Sequence, residues 1–127
     1  MLNKGDIVRK MREFRFPAHE YWVTAGAGLV MHEVKAETRD IDIGCSSSLA
    51  EILIQSGRSR YRLEDGTRKI EIDSQTEAFE NWLVDEVAQM DGISVATLSS
   101  IRKQKVDLNR EKDWQDIRLI DEFVCRK

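Results

Sequence analysis

Helical stripes at both ends of the chain, with short strand-like runs between them, predict an α+β or mixed α/β domain. Three observations carry this. Ile7, Val8, Met11 and Phe14 follow the i, i+1, i+4, i+7 spacing of one helix face. Asp65-Gly66 sits between two strand-like runs, as a tight hairpin requires. Leu98, Ile101 and Leu108, then Ile117, Ile120 and Val124, mark two closing helices.

The elements follow in order. A helix over about residues 3–16 ends at Pro17. Tyr21-Trp22-Val23-Thr24 reads as a short strand, and Ala25-Gly26-Ala27-Gly28 as a small-residue turn into a short helix from Leu29 to His32. Val34 to Thr38 connects into the strand-like run Thr38-Arg39-Asp40-Ile41-Asp42-Ile43. Ser46-Ser47-Ser48 offers N-cap hydroxyls to a helix through Leu49, Ile52 and Leu53, with Gly57 as its stop. The hairpin arms are Ser59 to Leu63 and Thr67 to Asp73. A brief helix is expected over 76–83, with Phe79, Trp82 and Leu83, then short strands at Val84 to Val87 and Ile93 to Val95. The last helices run from about Thr97 to Leu108 and from Arg110 to Val124, with Asn109 between them.

At 127 residues the expectation is one domain spanning 1–127. An apolar share of 41% and a charged share of 34% fit an ordinary globular protein and exclude disordered and membrane classes. The absence of a span-length apolar run or an N-terminal apolar leader segment points to a cytoplasmic setting. A net charge of −3 argues against a general nucleic-acid binder. Cys45 and Cys125 lack metal-ligand spacing and read as free thiols, and two histidines leave no histidine-based zinc site.

Chemistry concentrates first at Asp40 and Asp42. On a strand, alternate residues share a face, so both carboxylates point one way with Cα atoms roughly 6–7 Å apart. Adjacent acids repel unless a cation neutralises them, and Mg²⁺ favours a few carboxylates plus phosphate oxygens. A wet strand face gives the same alternation without any metal. Glu71 and Asp73 repeat the pattern on the second hairpin arm, and either acid would complete a three-carboxylate site if that strand lay beside the first. In the penultimate helix Lys105 falls on the apolar stripe, as Asp113 does in the last. The two can pair across the helices as a structural salt bridge, which is compatible with the lysine tip reaching into a cleft.

Taken together, the small-residue turn, T-R-D-I-D-I, the acid-bearing hairpin and the closing K-V-D-L-N-R-E-K-D-W-Q-D-I resemble the small nucleotidyltransferases of the DNA polymerase β superfamily. The nearest likeness is to the lincosamide-resistance type and to the minimal forms of toxin–antitoxin and abortive-infection systems, over roughly residues 18–121. The resemblance implies a polymerase-β-like fold. It implies that Asp40, Asp42 and Asp73, with Glu71 as substitute for the last, hold Mg²⁺ and act in catalysis. It also implies that Gly26, Ala27, Arg39, Lys105 and Lys112 contact a nucleoside triphosphate, expected to be ATP. Arg110, Asp113 and Asp116 match the rest of the downstream motif. At Ala25 the sequence departs from the family's glycine. The expected activity is Mg-dependent transfer of a nucleoside monophosphate to a hydroxyl on a small molecule or partner protein. A homodimer or partner would supply the acceptor wall that so short a chain lacks. The other readings are a non-catalytic nucleotide- or partner-binding module of the same fold, and a structural domain with incidental acids.

Overall fold

The computed structural model describes residues 1–82 and 84–126, and one seven-stranded mixed sheet organises them. Chain order is α1 (Lys4–Phe14), β1 (Tyr21–Thr24), α2 (Ala25–Met31), β2 (Ile41–Cys45), α3 (Ser47–Gln55), β3 (Arg60–Arg62), β4 (Arg68–Asp73), β5 (Thr76–Glu80), β6 (Val87–Met90), β7 (Ile93–Ala96), α4 (Leu98–Leu108) and α5 (Glu111–Cys125). The strands lie in the order β3-β4-β5-β2-β1-β7-β6. β2 runs parallel to β5 and β1 parallel to β7, and the remaining neighbours are antiparallel.

Local chemistry explains most boundaries. Asn3 and Asp6 form a reciprocal capping box that starts α1. The Ser46 hydroxyl accepts the Leu49 amide at 3.1 Å to start α3, and Thr97 caps α4 in the same way. Asn109, in the left-handed region, closes α4. Asp91 and Gly92 both have positive φ, which lets the two-residue turn between β6 and β7 match the twist of its strands.

The alternation within strands sorts the sheet into two faces. Val23, Ile41, Ile43, Ile70, Ala78 and Val95 are buried on one, in a core with Ile7 and Met11 of α1 and Leu49 and Leu53 of α3. The other face carries Thr24, Asp42, Glu77 and Phe79 in adjoining registers. Gly44 belongs to this face because the Trp22 indole crosses it to donate to the Trp82 carbonyl at 2.8 Å. A Cβ at residue 44 would stand 2.0 Å from the Trp22 nitrogen. The α4–α5 pair joins α2 through a second cluster of Leu29, Ala96, Ile101 and Ile120.

Several expectations are corrected. The brief helix expected over 76–83 is instead strand β5 over Thr76–Glu80, inserted between β2 and β4. Its period-2 burial, with Thr76 and Ala78 inside, satisfies the open edges of both neighbours, so sheet pairing overrides local preference. Leu83 lies outside the described residues. The first strand after it starts at Val87 rather than Val84, and α2 begins at Ala25 rather than Leu29. β2 begins at Ile41, leaving Asp40 just ahead of it.

Candidate active site

A cleft of about 450 Å³ opens over the polar face of the sheet. Its floor includes Asp42 and Phe79, the start of α2 supplies Ala25 and Gly26, and the β3–β4 turn reaches over it with Leu63 and Asp65. On the far side α4 contributes Gln104 and Lys105, and α5 with its N-cap contributes Lys112 and Arg110. Volume and mixed lining suit a small ligand with both rings and charges.

Asp40 and Asp42 both line this cleft. Burial, followed by the charges of Glu77 and Asp40, pushes the Asp42 carboxyl up to about 6, against the smaller opposing pull of Lys69 and Lys112. At the start of β2, burial and neighbouring acids thus disfavour the Asp42 charge more than Lys69 and Lys112 favour it.

Asp73 does not join the pair. A register shift between Glu71 and Asp73 turns Asp73 toward α1, where Lys10 binds it at 2.9 Å. A one-residue slip moves a side chain to the opposite face, which is what happens here. Burial opposes ionisation of Asp73, but the Lys10 bond and the Gln75 amide outweigh it and hold the carboxyl below its ordinary value. Glu71 is also displaced, because β5 separates β4 from β2, and it accepts the Tyr61 hydroxyl at 3.0 Å. The acid in direct register with Asp42 is Glu77, which the sequence reading passed over by making its segment helical. The alternation Thr76-Glu77-Ala78-Phe79-Glu80 was the available signal. Glu77 is paired with Lys69 at 2.8 Å. Among the described residues no group of three or more His, Cys, Asp or Glu side chains stands ready to hold a metal ion.

Gly26, Lys105 and Lys112 meet at the cleft, whereas Ala27 and Arg39 do not line it. Ala27 is buried in the core, and Arg39 is exposed ahead of β2. The departure at Ala25 has a conformational consequence. Its φ of 53° lies in the left-handed region, where an L side chain costs about 1–2 kcal/mol and glycine does not.

Lys105 is 6% exposed and does both things that its place on the stripe allowed. It binds Asp116 at 2.9 Å and Asp113 at 3.5 Å, while lining the cleft. Lys35 holds the other Asp116 oxygen at 2.7 Å, and Arg110 grips Asp113 at 2.6 Å. Burial works against both carboxylates, yet their bonds to Arg110, Lys35 and Lys105 keep them below the ordinary range. Helices α4 and α5 and the segment that follows α2 are thereby fastened beside the cleft by one charge network.

Gln104 is a further cleft residue the sequence reading missed. The buried Thr24 hydroxyl donates to its Oε1 at 3.0 Å, while its Nε2 is buried with no hydrogen-bond partner. Such an unmet donor costs about 1–3 kcal/mol.

This mixed sheet, with Asp40 and Asp42 facing Lys105, Arg110 and Lys112 across a cleft, is a nucleotidyltransferase-like fold. The crystal structure of ANT(2")-Ia in complex with adenylyl-2"-tobramycin, a nucleotidyltransferase, is similar to it with a TM-score of 0.55 and 15% sequence identity. The alignment covers 93% of this chain and 85% of that one. At that identity the likeness defines the fold. No family profile matches the chain, and no curated protein matches it by sequence.

Proposed function

We propose that the protein is a nucleotidyltransferase that moves a nucleoside monophosphate, in the first instance adenylate, from a nucleoside triphosphate to a hydroxyl acceptor. The observation that carries this reading is the Asp40/Asp42 pair facing Lys105, Arg110 and Lys112 across one cleft. The hard oxygen donors of Asp40 and Asp42 suit Mg²⁺, and they would hold it. When bound, Mg²⁺ would neutralise phosphate charge and polarise the phosphorus–oxygen bonds.

The chain's own groups account for binding and orientation. Arg110 and Lys112 face the phosphate chain, and Lys105 supports it as a fixed point charge. The backbone at Gly26 allows close approach of a phosphate oxygen. Phe79 and Trp82, whose ring centroids are 4.6 Å apart, form an apolar wall for a planar ring. The acceptor oxygen bonds to the α-phosphorus as the bond to the bridging oxygen breaks, and pyrophosphate leaves. Glu77, rather than Asp73, is the third acid in this reading, released from Lys69 to orient the acceptor hydroxyl and take its proton. A second copy of the chain or a partner protein would complete the acceptor side.

Calorimetric titration of ATP with Mg²⁺ tests the proposal on the wild type and on Asp40→Asn and Asp42→Asn. Metal-dependent binding by the wild type, lost in both variants, is expected. No metal-dependent binding would remove the reading. The pairing of Glu77 with Lys69 and the strained Ala25 favour one second reading, a nucleotide-binding module without turnover. Pyrophosphate release across a panel of hydroxyl acceptors separates the two.

A further inference from the structure

We infer that Gln104 is a phosphate-positioning residue of the cleft, donating its free amide hydrogens to an anionic oxygen of the nucleotide's phosphate chain. The inference rests on the nucleotide-binding reading above and names a residue that the motif resemblance leaves out. Its basis is an orphan donor. Thr24 is fully buried, and its hydroxyl donates to Gln104 Oε1 at 3.0 Å. In this arrangement Oε1 is occupied by the Thr24 hydroxyl and Nε2 is left over. Nε2 is sealed from solvent without a partner, and Gln104 lines the cleft. Buried donors are nearly always satisfied, so one left unmet on a residue that lines the cleft finds its partner when the side chain turns toward a ligand's acceptor atom.

The surroundings specify the acceptor. Thr24 immediately precedes Ala25 and Gly26, so the residue that bonds Gln104 also leads into the small-residue start of α2. Lys105 follows Gln104 on α4, and Arg110 and Lys112 line the same cavity. Lys105 and Arg110 are paired with Asp113 and Asp116, and Lys112 adds a further cation on the Gln104 side of the cleft. A donor there is suited to an anionic oxygen, since a charge-assisted bond is the stronger kind. The aromatic wall that suits a ring is built by other residues, Phe79 and Trp82. Thr24 and Gln104 thus link the first strand of the fold to the penultimate helix at the point where phosphate would sit.

Gln104→Glu is the discriminating variant. It keeps the volume and the acceptor for Thr24 but replaces the free donor with a negative oxygen. Gln104→Met removes the donor without adding charge. Titration with ATP and with inorganic tripolyphosphate, both with Mg²⁺, should show affinity falling about tenfold in Gln104→Met and further in Gln104→Glu. Binding of adenosine should be unchanged, which a general loss of structure would not allow. Equal tripolyphosphate affinities for the wild type and Gln104→Glu would overturn the inference while leaving the nucleotide reading intact. A wild type that binds neither ATP nor tripolyphosphate would overturn both. Thermal unfolding of each variant confirms that folded protein is being compared, and the isosteric glutamate keeps the test available if the methionine variant fails to fold.

Discussion

Replacing Asp42 with asparagine should stabilise the protein at neutral pH, although Asp42 is central to the proposed chemistry. Its carboxyl rises from the ordinary 3.8 to about 6, chiefly through burial and then through Glu77 and Asp40. That separation corresponds to about 3 kcal/mol at 1.36 kcal/mol for each tenfold change in proton affinity. Partial exposure of the side chain lowers the expected measured value to about 1–3 kcal/mol. The sign follows from linkage. Between 3.8 and about 6 the folded state holds a proton that the unfolded state has released, so stability from this group falls as pH rises through that window. It is fully present below 3.8 and gone above about 6. The substituted asparagine cannot ionise and escapes the loss. Urea unfolding of both proteins in EDTA, followed by tryptophan fluorescence, should give similar midpoints near pH 4 and a higher midpoint for Asp42→Asn at pH 7. With a slope of about 2 kcal/mol per molar urea, the shift is about 0.5–1.5 M. A variant no more stable than the wild type at pH 7, or an advantage of the same size at both pH values, would refute the electrostatic account. Adding Mg²⁺ at pH 7 should shrink the advantage by stabilising the wild type alone.

Other consequences follow from the same geometry. Lys105→Met should cost about 3 kcal/mol in chemical denaturation, because Asp113 and Asp116 keep their charge without this partner; adding Asp116→Asn should recover part of the loss. Gly44→Ala should destabilise by about 1–3 kcal/mol and shift the tryptophan emission, since the new methyl group displaces the Trp22 indole from the Trp82 carbonyl. An unchanged spectrum and midpoint would contradict that packing. In a native thiol assay at pH 8 only Cys125 should react promptly. Cys45 is fully buried, and burial with the Glu80 charge pushes its thiol up to about 12. Both should react in guanidinium, and prompt native labelling of Cys45 would show that β2 opens readily.

Much of the architecture was legible because it rests on local chemistry. The stripe of α1, the Ser46 and Thr97 caps, the turn near Gly66 and the Asn109 boundary all come from residues within a few positions of one another. So did the importance of Lys105, whose charge on an apolar stripe required either partners or a cleft. β5 was not legible. Its residues form a strand because two neighbours, one of them more than thirty positions earlier in the chain, need an edge satisfied between them. Reading that segment as a helix hid Glu77, the acid in register with Asp42.

By itself the sequence determined which short-range elements form and that Asp40, Asp42, Gly26 and Lys105 are unusual for their positions. Only the tertiary structure decided which of the unusual residues meet. A bulge at the end of β4 sends Asp73 to Lys10, strand order sets Glu77 rather than Glu71 beside Asp42, and Thr24 bonds Gln104 at Oε1 while Nε2 is left without a partner. Register and strand order depend on pairings distant in sequence, and a shift of one residue exchanges the two faces of a strand.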